Sequence, residues 1–600
     1  MWIRSYRVFN HVCSWRMARL HAKNLSSLSQ QESIRSKLKK SYVNGASATP
    51  LVGHTIGDLI DMQAEQKPDQ EAFVFPAQNI RKSYGDLKQD VDGFAAGLLK
   101  LGMQPRDRVG IWSPNAYEWV VCAFGAAKAG LVLVLVNPGY KSHELEYCLN
   151  KVQVKTLVAA EGMKSLNYYQ MLTELNQGLA KGTKSNRTPH LEHIVMTGQK
   201  VYPGTLRFED VGSSGNKENY AKLEQIAELV QFDDPANIQF TSGTTGNPKG
   251  ATLTHHNIVN NGYFGGRRFN FHQEKDTRIC CPVPLYHCFG WVLGSLCALS
   301  HGVCIVYPEG KFDAEATLKA IHNEKCTTIY GVPTMFSDML YHPDFHKFDT
   351  SSLRSGLMSG APCPVELVKK VRDKMKVKNI LVGYGMTETS PLSHVSFLGD
   401  PAEYVTSTVG RAMDHVETKI VDAGGRVVPI GTPGEILTRG YNTFLGYWEE
   451  EQKTKEAVTE TGWNKSGDIG VMNENGYVRI VGRSKDVIIR GGENVYPAEV
   501  ESCLHHHPSV VEAYVVGVPD DRLGEETCAW IRPRKEVTEK ELKDFCGAEL
   551  ASFKVPRYFV FLEPDEAFPL TVTGKVQKFI LREKSITRLK LDGVQGPFAA

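Results

Sequence analysis

Residues 108–136 read RVGIWSPNAYEWVVCAFGAAKAGLVLVLV, and the fold class is decided there. A short apolar strand fills 108–112, a helix spans 115–129 and is closed by Gly130, and an uninterrupted run of Leu and Val fills 131–136. Such runs belong to parallel strands covered on both faces. Asn137-Pro138-Gly139 stops the second strand, a helical stretch follows through Val152, and 156–159 supplies another strand. The same rhythm returns at 303–307, 314–323 and 327–331, then at 365–375 and 380–384. Strand–helix–strand units with right-handed crossovers follow, so the expected fold is α/β with two parallel-rich sheets in a large N-terminal domain. From Val409 onward, short alternating strands with turns at 423–425 and 432–434 predict a small β-barrel appended to it. A charged link, Gly482-Arg483-Ser484-Lys485-Asp486, then leads to a smaller α+β C-terminal domain. The division expected is a leader over 1–45, a large domain over 50–482 with its barrel-like part at 409–482, a hinge at 483–486, a small domain over 487–590, and a frayed tail at 591–600.

Composition narrows the function. Sixty-nine Lys and Arg against 67 Asp and Glu leave a net charge of +2, which supplies no chain-wide reason to bind nucleic acid. The excess is local. Residues 1–40 hold nine basic side chains and one acid, Glu32. Wound as a helix, Trp2, Tyr6, Phe9, Cys13, Met17 and Leu20 share one face, opposite Arg4, Arg7 and His11. This acid-poor amphipathic pattern is that of a mitochondrial transit peptide and predicts delivery to the matrix. The longest apolar stretch, 289–307, is broken by Gly290, Gly294, Ser295, Ser300, His301 and Gly302, so no membrane anchor is expected. Thirteen scattered cysteines without a C-x-x-C pair read as reduced thiols. His255-His256 and His505-His506-His507 lack zinc-ligand spacing.

The chemistry gathers in a few segments. Thr241-Ser242-Gly243-Thr244-Thr245-Gly246-Asn247-Pro248-Lys249-Gly250 combines glycines that let backbone N–H groups curl toward one anion with hydroxyls and an ammonium, which suits a polyphosphate. It is not a Walker A loop, because Lys249 follows Pro248 and precedes Gly250. Gly383-Tyr384-Gly385-Met386-Thr387-Glu388 ends a strand where open α/β sheets bind ligands. Tyr384 can stack on a purine there, and Glu388 beside Thr387 can hold Mg²⁺ through oxygen. Asp468, after the turn Ser466-Gly467, can accept hydrogen bonds from a ribose diol, with Arg483 directed at the same nucleotide. Lys575 stands on a glycine turn near the carboxyl end.

In this order the segments TSGTTGNPKG, PLYHCFG, YGMTE, GTPGEILTRG, SGD, GRSKDVIIRGGENVYPAEVE and PLTVTGK resemble the adenylate-forming superfamily of acyl-CoA synthetases, nonribosomal adenylation domains and luciferases. The resemblance spans 51–590. It implies a two-step ligase: a carboxylate attacks the α-phosphate of ATP to give an acyl-adenylate and pyrophosphate, and the thiol of coenzyme A then displaces AMP. It further implies that 241–249 cradle phosphates, that Gly360, Ala361 and Pro362 with Gly383, Tyr384 and Gly385 enclose adenine, and that Asp468 and Arg483 hold ribose. Lys575, with Glu388 and Thr387, serves catalysis in this reading. The smaller domain is implied to pivot at Lys485 between the two steps, with Gly491, Gly492 and Glu493 lining the coenzyme A tunnel.

The acid is read from an absence. No Asp or Glu occurs between Asp276 and Glu309, so the ammonium of an amino acid would be buried without a partner. An apolar acid is therefore expected, a medium-chain fatty acid first, with an aryl or dicarboxylic acid as the alternative and a non-catalytic binder of ATP or acyl-CoA as the reading from another class. His287, Phe289, Gly290, Trp291 and Met386 are expected around the acyl chain, with a larger residue at 290 shortening the chain that fits.

Overall fold

The computed structural model describes residues 38–591 apart from 164, 242–247, 275, 362, 364, 492, 564 and 571–575. The leader through residue 37, most of the phosphate loop, Pro362, Gly492, Lys575 and the tail after 591 therefore lie outside the described residues.

The opening stretch folds as strand Arg108–Trp112, helix Tyr117–Lys128 and strand Val132–Val136, the two strands running parallel with Arg108 opposite Val132 and Trp112 opposite Val136. All five residues of Val132–Val136 are buried, as a strand covered on both faces requires. The sheet built around them has eight strands in the order Leu206–Arg207, His193–Met196, Val154–Ala159, Arg108–Trp112, Val132–Val136, Pro235–Thr241, Lys249–Thr254 and Gly446–Tyr447. Pairing is parallel up to Pro235–Thr241 and antiparallel beyond it.

A second, nine-stranded sheet carries Asn379–Gly385 beside Ser355–Met358 and Thr328–Gly331, with parallel pairing through to Glu71–Phe75. Between the sheets lies the largest core, which includes Phe94, Trp119, Phe124, Phe264 and Trp291. Lys128, at the end of the first helix, is buried in that region and pairs with Asp61 and Asp92. These salt bridges fasten three helices together.

Two sequence expectations are corrected. The appended β part is an open five-stranded antiparallel sheet, in the order Tyr42–Asn44, Val416–Val421, Gly434–Gly440, Asn464–Met472 and Val478–Arg483. Among the described residues its edge strands do not pair with each other, so no barrel closes. Its first strand also shortens the leader expected over 1–45, because Tyr42, Val43 and Asn44 pair with Lys419, Thr418 and Glu417. Three residues just beyond the basic stretch 1–40 show no strand period of their own, and their place is set by a partner some 370 residues away.

After a single 3₁₀ turn at Ser484–Asp486 comes a further five-stranded sheet, centred on the long hairpin Val510–Asp520 and Gly524–Pro533. Helices Pro497–His505 and Glu539–Glu549 cover one face, with Val500, Leu504, Val515, Ile531 and Leu542 in the core between. Among the described residues all twelve cysteines are free, ten of them buried, and no helix is long and apolar enough to cross a membrane.

Candidate functional site

Strands Pro235–Thr241 and Lys249–Thr254 form an antiparallel hairpin in which Thr241 faces Lys249, so the two described ends of the phosphate-loop segment stand side by side. The hairpin is held from outside. Tyr147 Oη donates to the Pro248 carbonyl at 3.1 Å, and the Trp448 N–H donates to the Gly250 carbonyl at 2.8 Å. The Lys249 ammonium lies 4.1 Å from the centre of the Tyr447 ring, a cation–π distance.

In the other sheet, Asn379–Gly385 pairs in parallel with Ser355–Met358 along its first half and antiparallel with Leu392–Val395 along its second. The chain must reverse immediately beyond it. A Cβ on Gly385 would sit 1.8 Å from the Pro391 carbonyl oxygen, so only glycine permits the approach. The 3₁₀ turn Thr387–Thr389 that follows buries Glu388 to 5% exposure. Among the described residues the carboxylate has one hydrogen-bond partner, Tyr447, whose Oη donates to Oε1 at 2.7 Å. Burial and that neighbouring carboxylate push the Tyr447 phenol well above its ordinary range, so it remains a donor. The Cys288 thiol donates to Gln239 Oε1 at 2.9 Å and also reaches the Thr387 hydroxyl; burial pushes it up to about 12.

Asp468 and Arg483 face each other across Asn464–Met472 and Val478–Arg483. Arg483 Nε donates to Asp468 Oδ1 at 3.0 Å, and Tyr384 Oη donates to Oδ2 at 2.6 Å. Asp468 is 8% exposed, and its own N–H is taken by Ser466 Oγ at 3.1 Å. Burial first, and Asp468 second, raise the Tyr384 phenol far above its usual value. Beneath Tyr384 sits His394, with ring centres 5.7 Å apart; burial pushes its imidazole down to about 3 and keeps it neutral. Ser359 Oγ donates to the Gly383 carbonyl at 2.9 Å, which brings the segment running on to Gly360 and Ala361 beside the same strand end. Lys485, in the 3₁₀ turn after Arg483, has its ammonium pushed down by burial.

The segment after Val283 is held first by hydrogen bonds to its main chain and then by packing. Asn115 clamps it, donating from Nδ2 to the Val283 carbonyl at 3.1 Å and accepting the Leu285 N–H at 2.7 Å. His287 Nδ1 accepts the Phe289 N–H at 3.1 Å. Phe289–Leu296 then runs as a π-helix, every residue of it buried. Trp291 is 1% exposed and packs on Trp119 and Phe124, with ring centres 5.3 and 5.1 Å away. Phe289 lies 5.9 Å from Tyr330. A Cβ on Gly290 would fall 2.2 Å from the Pro284 carbonyl oxygen, so a larger residue there collides with main chain, contrary to the expectation that it would trim a tunnel. Met386 touches Asn464, whose Nδ2 stands 3.9 Å from its sulfur.

The structure thus joins Tyr384, Asp468 and Arg483 in one cluster, and Glu388 and Lys249 in another through Tyr447. Gly491 and Glu493 sit in a hairpin beyond the 3₁₀ turn, and among the described residues they make no hydrogen bond to either cluster. Sequence reasoning missed Tyr447, Gln239 and Tyr147, none of which stands in a motif that marks it, and gave Cys288 no role although it lies within PLYHCFG; their partners are distant in the chain. Among the described residues no three His, Cys, Asp or Glu side chains converge as for a metal held by protein alone. One buried carboxylate beside a hydroxyl fits a Mg²⁺ ion that takes its remaining ligands from phosphates and water.

The model of the AMP-binding enzyme family matches residues 60–448, and that of the AMP-binding enzyme C-terminal domain matches 499–575. A Danio rerio protein described as the mitochondrial medium-chain acyl-CoA ligase ACSF2 is 46% identical over 561 residues, covering 92% of each chain. Among solved structures, the anthranilate CoA ligase AuaEII in complex with anthranoyl-AMP superposes with a TM-score of 0.79 at 27% identity, covering 90% of this chain and 99% of that one. ATP-bound MatB from Rhodopseudomonas palustris superposes with a TM-score of 0.75 at 28% identity, covering 89% and 99%.

Proposed function

The chain belongs to the AMP-binding enzyme family, and we propose that it is an ATP-dependent ligase that converts a medium-chain fatty acid to its acyl-adenylate and then to acyl-CoA in the mitochondrial matrix. The observation that carries this reading is the presence of two charged clusters suited to a nucleotide, Tyr384 with Asp468 and Tyr447 with Glu388, together with a buried segment free of acids and suited to an apolar chain.

A carboxylate and a triphosphate repel each other, so the first step needs counter-charge and positioning more than covalent chemistry. Tyr384 offers its ring to adenine, and Asp468, held by Arg483 and Tyr384, presents its carboxylate to the ribose diol. Residues 241–249 surround the phosphates, with Lys249 supplying positive charge. Glu388 and Thr387 would hold Mg²⁺, which when bound offsets phosphate charge. Lys575, brought by the C-terminal unit, neutralises the α-phosphate as the fatty carboxylate attacks and pyrophosphate leaves. The unit then pivots at Lys485, the lysine withdraws, and Gly491, Gly492 and Glu493 guide the coenzyme A thiol to the carbonyl, releasing AMP.

The medium-chain assignment draws on the Danio rerio relative and on the absence of Asp or Glu from the sequence between Asp276 and Glu309. Pyrophosphate release measured with straight-chain acids from acetate to palmitate, with benzoate and malonate as the aryl and dicarboxylic arms, tests it. The expected maximum lies among medium chains. Preference for benzoate or malonate would move the substrate to those classes, and ATP binding without pyrophosphate release for any acid would make the protein a binder.

A further inference from the structure

Tyr447 belongs to none of the motifs that mark the site, yet it touches both charged groups that face the phosphates. Its two-residue strand adds to the edge of the eight-stranded sheet with Tyr447 opposite Ala251, two residues beyond Lys249 and on the same face. The strand is fastened on every side. Leu445 and Trp448 donate their N–H groups to the carbonyls of Thr252 and Gly250 at 2.9 and 2.8 Å, Tyr447 donates its own to Thr454 Oγ1 at 2.9 Å, and Phe444 donates to the Glu388 carbonyl at 3.1 Å. The Phe444 ring meets the Tyr447 ring edge-on, with centres 4.9 Å apart.

From this fixed base the hydroxyl reaches Glu388 Oε1 while the ring face receives the Lys249 ammonium. Packing alone requires neither contact. A neutral phenol orients a buried carboxylate without cancelling its charge, whereas a lysine beside it would cancel it. Among the described residues no ion pair joins Lys249 to Glu388, although both meet the same side chain. We propose that Tyr447 is a positioning residue for adenylation: its hydroxyl sets the orientation of the Glu388 carboxylate, and its ring holds the Lys249 ammonium apart from that carboxylate. The cation then stays available to the phosphates and the anion to the divalent ion they carry. This inference rests on the ligase reading above.

The test uses the full chain with Tyr447→Phe, which keeps the ring and loses the hydroxyl, and Tyr447→Leu, which loses both. Four readouts are needed: acid-dependent pyrophosphate exchange with KM and kcat for ATP, calorimetric binding of α,β-methylene-ATP across a Mg²⁺ titration, thioester formation from prepared acyl-adenylate, and the melting temperature. Tyr447→Phe is expected to lower kcat for exchange about tenfold, the loss of one hydrogen bond to a charged group, with little change in KM for ATP. It should raise the Mg²⁺ concentration for half-maximal analogue binding and leave thioester formation in place. Tyr447→Leu should in addition weaken analogue binding. Added to Glu388→Gln, Tyr447→Phe should cost nothing further, because the hydroxyl acts through the carboxylate. Wild-type behaviour of Tyr447→Phe, independent addition in the double variant, or a parallel fall of both half-reactions with the melting temperature would each overturn the inference. A wild-type chain that exchanges pyrophosphate with no acid would instead overturn the ligase reading on which it stands.

Discussion

The two charged clusters and the π-helical segment are built differently. Around Asp468 and Glu388 each polar group is held by another polar group, Tyr384 and Arg483 on one carboxylate and Tyr447 on the other. Around Gly290 and Trp291 the walls are apolar surfaces and main chain, Trp119, Phe124 and Pro284, and Tyr307 Oη holds the Gly290 carbonyl at 3.0 Å. A hydrogen-bonded site can lose one member and keep its shape, because its side chains project from strands paired elsewhere. A close-packed segment cannot, since interiors are as dense as crystals and a single added carbon must displace something.

The sharpest way to break this contrast is Gly290→Leu. With main chain 2.2 Å from the new Cβ, the substitution should cost more than about 3 kcal/mol of stability, seen as a lowered denaturation midpoint and reduced soluble yield, rather than a shorter preferred acid. A folded variant of unchanged midpoint whose kcat/KM profile moved to shorter chains would place an open tunnel there and dissolve the contrast.

Next in size is Lys575→Ala, which should slow adenylation by a few hundredfold, about 3 to 4 kcal/mol by analogy with losing one donor to a developing oxyanion. The melting temperature and thioester formation from prepared adenylate should survive. Proline at Lys485 should do the converse, hindering the pivot and slowing thioester formation while adenylation persists. Equal slowing of both half-reactions by Lys575→Ala would end the account of a lysine that leaves between steps.

The smallest effect is expected from Asp468→Asn. The amide keeps an acceptor for Tyr384 and loses the charge that pairs with Arg483, so KM for ATP should rise by about tenfold, with the melting temperature near that of the parent. A large loss of stability would make Asp468 a packing residue like Trp291 and erase the difference between the two regions.

Much of this was readable from the chain. The run 131–136 announced a strand buried on both faces, and the structure has one there. Asp468 and Arg483 were assigned to one nucleotide from their motifs, and a tight antiparallel hairpin makes them neighbours, so a short loop sufficed to join them. The first strand of the open sheet was hidden, because three residues after a basic leader have no periodicity of their own and acquire one from Val416–Val421. The obstruction at Gly290 was likewise invisible, since a glycine in sequence cannot tell an open tunnel from a carbonyl pressed against its α-carbon.

By itself the sequence determined the strand–helix rhythm, the family, and which segments hold residue types suited to phosphates, since hydrophobic periodicity and loop chemistry act over a few residues. Tertiary structure alone decided that Tyr447 lies between Glu388 and Lys249, and that Trp291 sits on Trp119 and Phe124. Those contacts all span 59 residues or more, and no local preference encodes them. They exist because two sheets and an added edge strand bring distant side chains within a few ångströms, where packing and hydrogen bonding, both short-ranged, can act.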